Sequence, residues 1–145
     1  PRTLTAAAFA PYGRVLQVLV AEDDRILQKL YEHTLASWGL PLSIRLVSSG
    51  IDGLLEIGRV PPDLLITDLR MPGIDGFEMI RRLRADPQLQ ELDIVVVSGL
   101  TEEEILENGG LPPDVIFYCK PVPFRELKGY VQAKIMAMQR NRKTA

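Results

Sequence analysis

Glu22-Asp23, Asp68, Ser98 and Lys120 are polar groups that each follow a short apolar run. Val15 to Ala21 leads to the first pair, Leu64 to Ile66 to Asp68, Ile94 to Val97 to Ser98, and Val115 to Tyr118 to Lys120. If these runs are strands of one parallel sheet, their ends share an edge, and in open α/β sheets that edge is where ligands bind. Three carboxylates gathered there repel one another unless a cation or a proton intervenes. Oxygen ligands without His or Cys favour a hard ion, Mg2+ or Mn2+, over zinc, so either such an ion is required or one acid is protonated. Lys120 adds a mobile positive charge and Ser98 a hydroxyl donor, a pair suited to the oxygens of a phosphoryl group in transfer. Asp68 is then left as the nucleophile, and carboxylates form acyl-phosphates by that route. A lone Asp ahead of a turn such as Pro72-Gly73 more often only caps it; the other strand ends reverse that preference.

The elements that must position these groups are marked by spacing and punctuation. Leu64, Leu65 and Ile66, bounded by Pro61-Pro62 and Met71-Pro72-Gly73, read as a strand buried on both faces. Leu42 to Val47 alternates more and suits a flank of the sheet. From Arg25 to Trp38 the apolar residues Ile26, Leu27, Leu30, Leu35 and Trp38 follow helical spacing, with Gly39 as a stop and Pro41 beyond. A weak helix follows Ser48-Ser49-Gly50 as far as Gly58. Asp75 with Glu78 three residues on predicts a helix with Phe77, Ile80 and Leu83 on one face, and Arg81, Arg82 and Arg84 as its solvated side. Thr101 with Glu104 makes a capping box for a short helix that Gly109-Gly110 stops, and Phe124, Leu127, Val131, Ile135 and Met138 mark an amphipathic closing helix. Five strands alternating with five helices predict an α/β protein with a parallel sheet, helices on both faces and right-handed crossovers.

Composition narrows the function. A chain of 145 residues, 46% apolar and 25% charged, is one domain with a substantial core. The expected divisions are an extension at 1–14, the domain at 15–140 and a basic tail at 141–145. No run of membrane-spanning length occurs and Ala6-Ala7-Ala8-Phe9-Ala10 is too short for a signal, so a cytoplasmic protein without a membrane partner is expected. Residue 1 is not Met, which points to a processed boundary with room for a further domain outside the chain. The net charge of −2 conceals an acidic body and a basic end, where Glu126 alone faces Arg125, Lys128, Lys134, Arg140, Arg142 and Lys143. An acidic body argues against direct nucleic-acid binding, and the last basic residues read as a solvated terminus. The single Cys excludes an internal disulfide, and Cys119 reads as a small buried hydrophobe. His33, the only His, reads as a solvated surface residue rather than a phosphate carrier. With neither a dinucleotide glycine fingerprint nor a phosphate loop, no nucleotide cofactor is indicated.

Four segments, Val18-Leu19-Val20-Ala21-Glu22-Asp23-Asp24, the stretch from Asp63 to Gly76, Val95-Val96-Val97-Ser98-Gly99 and Cys119-Lys120-Pro121, stand in an order and at separations that resemble a known family. Over about residues 15–140 the chain is similar to the receiver domain of two-component response regulators, of the kind found in chemotaxis regulators. The resemblance implies a flavodoxin-like (βα)5 sheet of order 2-1-3-4-5 in a bacterial signalling domain, one that is not an enzyme and assists only its own phosphorylation and dephosphorylation. It implies that Asp68 takes a phosphoryl group from a phosphohistidine on a sensor histidine kinase or histidine phosphotransfer protein. It also implies that Asp23, Asp68 and the backbone carbonyl of Arg70 bind Mg2+ or Mn2+, with Glu22 acting through water. Ser98 and Lys120 would contact the phosphoryl oxygens, and Phe117 would be the aromatic switch. The surface of the fourth helix, fifth strand and closing helix would then control an output domain or effector, and would serve any homodimer.

Gly99 departs from the commoner Ala, and Arg70 and Leu100 fall at variable positions tied to phosphoryl lifetime. Two other readings stay open. A haloacid-dehalogenase-like phosphatase would use Asp68 with a second Asp at position 70, where this chain has Arg. A pseudo-receiver would bind a partner without phosphorylation, and its mark would be loss of the acids or the Lys. The sequence does not choose between a stand-alone regulator and part of a longer regulator or hybrid kinase, nor name the kinase or output.

Overall fold

The structure, a computed structural model, describes residues 14–144, with side chains as far as Arg140; residues 1–13 of the expected extension and Ala145 lie outside the described residues. The elements run β1 (Leu16–Ala21), α1 (Arg25–Ser37), β2 (Leu42–Val47), α2 (Gly50–Arg59), β3 (Leu64–Thr67), α3 (Gly76–Ala85), a 3-10 turn at Pro87–Leu89, β4 (Asp93–Ser98), α4 (Glu102–Glu107), β5 (Ile116–Cys119) and α5 (Phe124–Thr144). The strands are all parallel in the order β2-β1-β3-β4-β5, as expected. Among the described residues no helix is long and apolar enough to cross a membrane.

Because side chains alternate across a strand, each central strand feeds two cores. Leu19, Leu65, Ile94 and Val96 face α2, α3 and α4, meeting Ile57, Met79, Ile80, Leu83 and Ile105. Val18, Leu64, Ile66, Val95 and Val97 face α1 and α5, meeting Tyr31, Leu35, Leu127 and Val131. Parallel register then decides what meets at the carboxyl edge. Ala21 pairs with Thr67, so Glu22 and Asp68 are the next residues on neighbouring strands, and the Asp68 N–H donates to the Ala21 carbonyl at 3.1 Å.

Local signals account for the helix starts. Asp24 accepts from the amides of Ile26 and Leu27, Ser49 from Asp52 and Asp75 from Glu78, each satisfying donors at the first turn. Thr101 and Glu104 form the reciprocal box expected of them.

Four side-chain expectations are corrected. Ile26 is 81% exposed and Leu30 is also exposed; the buried stripe of α1 is instead Tyr31 and Leu35, with Leu27 packed beside them, an i, i+4, i+8 series. Arg84 is not on a solvated side. Its guanidinium donates to the carbonyls of Leu89 and Leu92 and pairs with Asp114 at 2.8 Å, because its flank of α3 faces the turn leading into β4. Arg81 and Arg82 do pair with Glu78 on the surface. Cys119 is exposed rather than buried, since it is the last residue of an edge strand with a neighbour on one side only. His33 is exposed, as expected.

These burial differences set a comparison of two α1 variants. Leu35→Ala should lose about 2–5 kcal/mol as a large-to-small change in a packed core, whereas Ile26→Ser should stay within about 0.5 kcal/mol of wild type as a surface change. Urea denaturation of both reads the difference; a comparable loss in Ile26→Ser would mean that α1 presents the other face to the sheet.

Candidate functional site

The carboxyl edge of the sheet gathers Glu22, Asp23, Asp68, Ser98 and Lys120 from four strand ends. One oxygen from each of Glu22, Asp23 and Asp68 lies within 4.8 Å of the others. Glu22 and Ser98 are almost wholly buried and Asp68 nearly so, while Asp23 is exposed. Lys120 Nζ donates to Asp68 Oδ2 at 2.7 Å and to Glu22 Oε1 at 3.1 Å, closing the cluster from the β5 side.

Asp68 and Glu22 are each held by backbone as well as by Lys120. Asp68 Oδ1 accepts the Leu69 N–H at 2.6 Å, and Glu22 Oε2 accepts the Asp24 N–H at 3.0 Å. The Glu22 carbonyl accepts from the side-chain amide of Gln28, which ties the β1–α1 connection to the first turns of α1. Lys120 is anchored at its own backbone, where its N–H donates to the Ser98 carbonyl at 2.9 Å, and the Lys120–Pro121 peptide is cis. Ser98 Oγ accepts the Leu100 N–H at 3.2 Å, which leaves the hydroxyl proton to be donated elsewhere.

Charge in this partly dehydrated place shifts the titrating groups. Burial pushes the Glu22 carboxyl above its usual range, although the Asp24 amide and Lys120 oppose it; the Asp68 charge adds to the rise. Burial acts to lower Lys120, yet its hydrogen bonds to Asp68 and Glu22 outweigh that, so the ammonium is held protonated more firmly than in water. Burial, and then the charges of Glu22 and Asp68, likewise raise the Tyr31 phenol, which places this α1 ring within electrostatic reach of the site. Tyr31 meets Phe124 of α5 edge-on, with centroids 5.5 Å apart.

Outside the acids is a cavity of about 230 Å³ lined by Asp68, Arg70, Ser98, Gly99, Leu100 and Glu104. A Cβ built on Gly99 meets nothing within 4 Å, so there is open space beside Ser98. Phe117 is half-buried and packs on the α2, α3 and α4 side of the sheet.

Two contributors, Gly76 and Gln28, lie beyond the residues singled out from sequence, and so does the side-chain contact of Arg70. Gly76, the first residue of α3, supports the floor of the site: its N–H donates to the Leu69 carbonyl at 2.9 Å, and a Cβ there would overlap the Asp68 carbonyl oxygen and stand 2.8 Å from Leu69 Cα. Gln28 steadies Glu22, and Arg70 bridges to Glu104. The spacing of Leu27, Tyr31 and Leu35 was a usable signal for the face of α1 that lies beneath the site; nothing in the sequence signals the Arg70 contact.

Residues 18–132 match the family model described as the response regulator receiver domain, and the chain belongs to that family. It is 33% identical over 116 residues to the cyclic di-GMP phosphodiesterase response regulator RpfG of Xanthomonas campestris pv. campestris, an alignment covering 78% of this chain and 30% of that one. The chain spans about half the length, or less, of the curated relatives it matches. Its fold is similar to the receiver domain of a signal transduction histidine kinase from Syntrophus aciditrophicus, at a TM-score of 0.75 and 23% identity, covering 87% of this chain and 94% of that one. It is similar also to the receiver domain of sensor histidine kinase PA1611 from Pseudomonas aeruginosa PAO1, which has a magnesium ion coordinated in its active site cleft, at a TM-score of 0.71 and 24% identity over 82% and 96% of the two chains.

The close approach at Gly76 makes a test of how the Asp68 carboxylate is supported. Gly76→Ala should destabilise the fold by about 1–3 kcal/mol, the range for overpacking, and should displace the amide resonances of Asp68 and Leu69. A variant with wild-type urea stability would mean that the α3 start does not bear on the β3 end.

Proposed function

We propose that this chain is a phosphoacceptor signalling domain of a bacterial two-component or phosphorelay system, that its functional unit is residues 15–140, and that Asp68 is the accepting group. The observation that carries this reading is the contact of Lys120 Nζ with both Asp68 and Glu22, which sets one cation and two further carboxylates around a single acceptor oxygen pair beside an open cavity. The donor is the phosphohistidine of a sensor histidine kinase or histidine phosphotransfer protein. An Asp68 carboxylate oxygen forms the new P–O bond as the P–N bond of the donor breaks, and the electron pair leaves with the imidazole. Lys120 then pairs with a phosphoryl oxygen, and Ser98 turns its proton toward another. Because the Ser98 oxygen already accepts from Leu100, that donation draws on the loop before α4.

The donor set suits a hard divalent cation, since it is carboxylate oxygen without His or Cys among the clustered groups. Asp23, Asp68 and the Arg70 backbone carbonyl would hold Mg2+ or Mn2+, with Glu22 acting through water; when bound, such an ion would supply positive charge against the negative charge of the transfer. The Mg2+ in the cleft of the PA1611 receiver supports the same assignment here.

Ser98, on moving toward the phosphoryl group, opens space into which Phe117 turns, and the surface of α4, β5 and α5 changes with it. That surface controls an output domain or effector in the cytoplasm, or pairs two copies. Arg70 speaks against the phosphatase reading. Its guanidinium stands where a second carboxyl would have to protonate a leaving group, and it is engaged with Glu104.

Incubation with acetyl phosphate and Mg2+ followed by borohydride trapping should label Asp68 and no other residue, and Asp68→Asn should abolish the label. A label on another acid, found by mass spectrometry, would remove the assignment.

Mg2+ should also raise the stability of the fold. At about 100 times its Kd the increment should be roughly 2.7 kcal/mol, and Asp23→Asn should remove most of it in thermal unfolding. An increment that survives in Asp23→Asn would locate the ion elsewhere.

A further inference from the structure

Arg70 leaves the end of β3 and reaches across the mouth of the cavity to α4. Its Nη2 lies 3.6 Å from Glu104 Oε2, with the Arg and Glu side chains 70% and 42% exposed. Both residues line the cavity that also holds Asp68 and Ser98. An ion pair this long and this exposed is weak and readily exchanged. Glu104 is nevertheless well fixed, because its other oxygen accepts the Thr101 N–H at 3.0 Å while its own N–H donates to Thr101 Oγ1 at 3.1 Å. The Thr101 donors and the Arg70 charge together hold its carboxyl below the usual range, so at neutral pH it is a standing anion. Arg70 therefore sits between a fixed monoanion on α4 and the place where Asp68 would acquire a phosphoryl group.

A phosphoryl group carries nearly two charges and three acceptor oxygens, and guanidinium binds such groups bidentately and more strongly than it binds an exposed carboxylate. We propose that Arg70 is a partner-exchanging latch: unphosphorylated, it ties the β3–α3 connection to Glu104; phosphorylated, it leaves Glu104 for the phosphoryl oxygens. This inference rests on Asp68 being the acceptor. The exchange gives α4 a second reporter of phosphorylation, electrostatic and independent of Ser98. With Arg70 withdrawn, Glu104 loses its counter-charge and the β3–α3 connection is no longer tied to α4.

The test uses beryllofluoride with Mg2+ as the phosphoryl mimic on wild type, Glu104→Gln, Arg70→Gln and the double variant. Gln at position 104 keeps the capping box, and both side chains are largely on the surface, so the fold is undisturbed. Saturating mimic should shift the Arg70 Nε–Hε resonance and the Glu104 side-chain carboxyl carbon in wild type. Glu104→Gln, which removes the competing partner, should bind the mimic about two- to five-fold more tightly, the span of an exposed ion pair. In the Arg70→Gln background that gain should vanish. If the mimic shifts Asp68, Ser98 and Lys120 while Arg70 stays still, or if Glu104→Gln retains its full gain without Arg70, the latch is overturned and the acceptor site stands. If the mimic leaves Asp68 unaffected, the acceptor reading falls and the latch with it.

Discussion

One ammonium group holds the carboxyl edge of this sheet together. Glu22 and Asp68 are brought side by side by the pairing of β1 with β3, and both are withdrawn from water. Two such charges in contact cost stability unless a cation stands between them. Lys120 supplies it from a third strand, and its backbone is fixed to Ser98 on a fourth. The arrangement is satisfied but remains short of positive charge, since Asp23 brings a further acid to the same few ångströms. The same imbalance underlies the proposal that the edge takes up a divalent cation and a phosphoryl group.

The position of Asp68 is set as much by backbone as by side chains. Asp68 is gripped by its neighbour's amide, the β3 end is hydrogen-bonded to β1, and the first turn of α3 presses on the 68–69 peptide with only a hydrogen atom on Gly76 between them. Gly50 does the same for the following loop, where a Cβ would overlap the Ile74 carbonyl. Two glycines thus let helix starts approach the loop that carries the chemistry, which fixes the carboxylate without further charged groups.

The strand ends were legible in the sequence because central parallel strands are apolar throughout and are punctuated by Pro and Gly, whereas their order in the sheet came only from the resemblance to receiver domains. Asp75 and Thr101 were legible as caps because capping is local and depends on residues three apart. What could not be read was decided by tertiary neighbours. Ile26 and Leu30 fit a helical stripe as well as Leu27 and Leu35 do, and only the sheet chooses between them, with Tyr31 completing the winning set. Arg84 turns inward for carbonyls on a later turn, and Cys119 loses cover because β5 has no outer neighbour. The Arg70–Glu104 contact joins the β3–α3 loop to α4, far apart in sequence, and its residues alone carry no periodic or capping signature that relates them.

The two faces of the sheet differ mechanically. On one, α1 and the long α5 are locked together by the Tyr31–Phe124 edge-on pair directly under the site, so that face acts as an anvil. On the other, α4 is a six-residue segment followed by Gly109 and Gly110, both in left-handed backbone conformations that let the chain reverse in a short span. A disturbance at the carboxyl edge meets stiffness on the anvil side and compliance on the side of α4. On the proposed function, a change at Asp68 would be delivered to one face of the domain and withheld from the other.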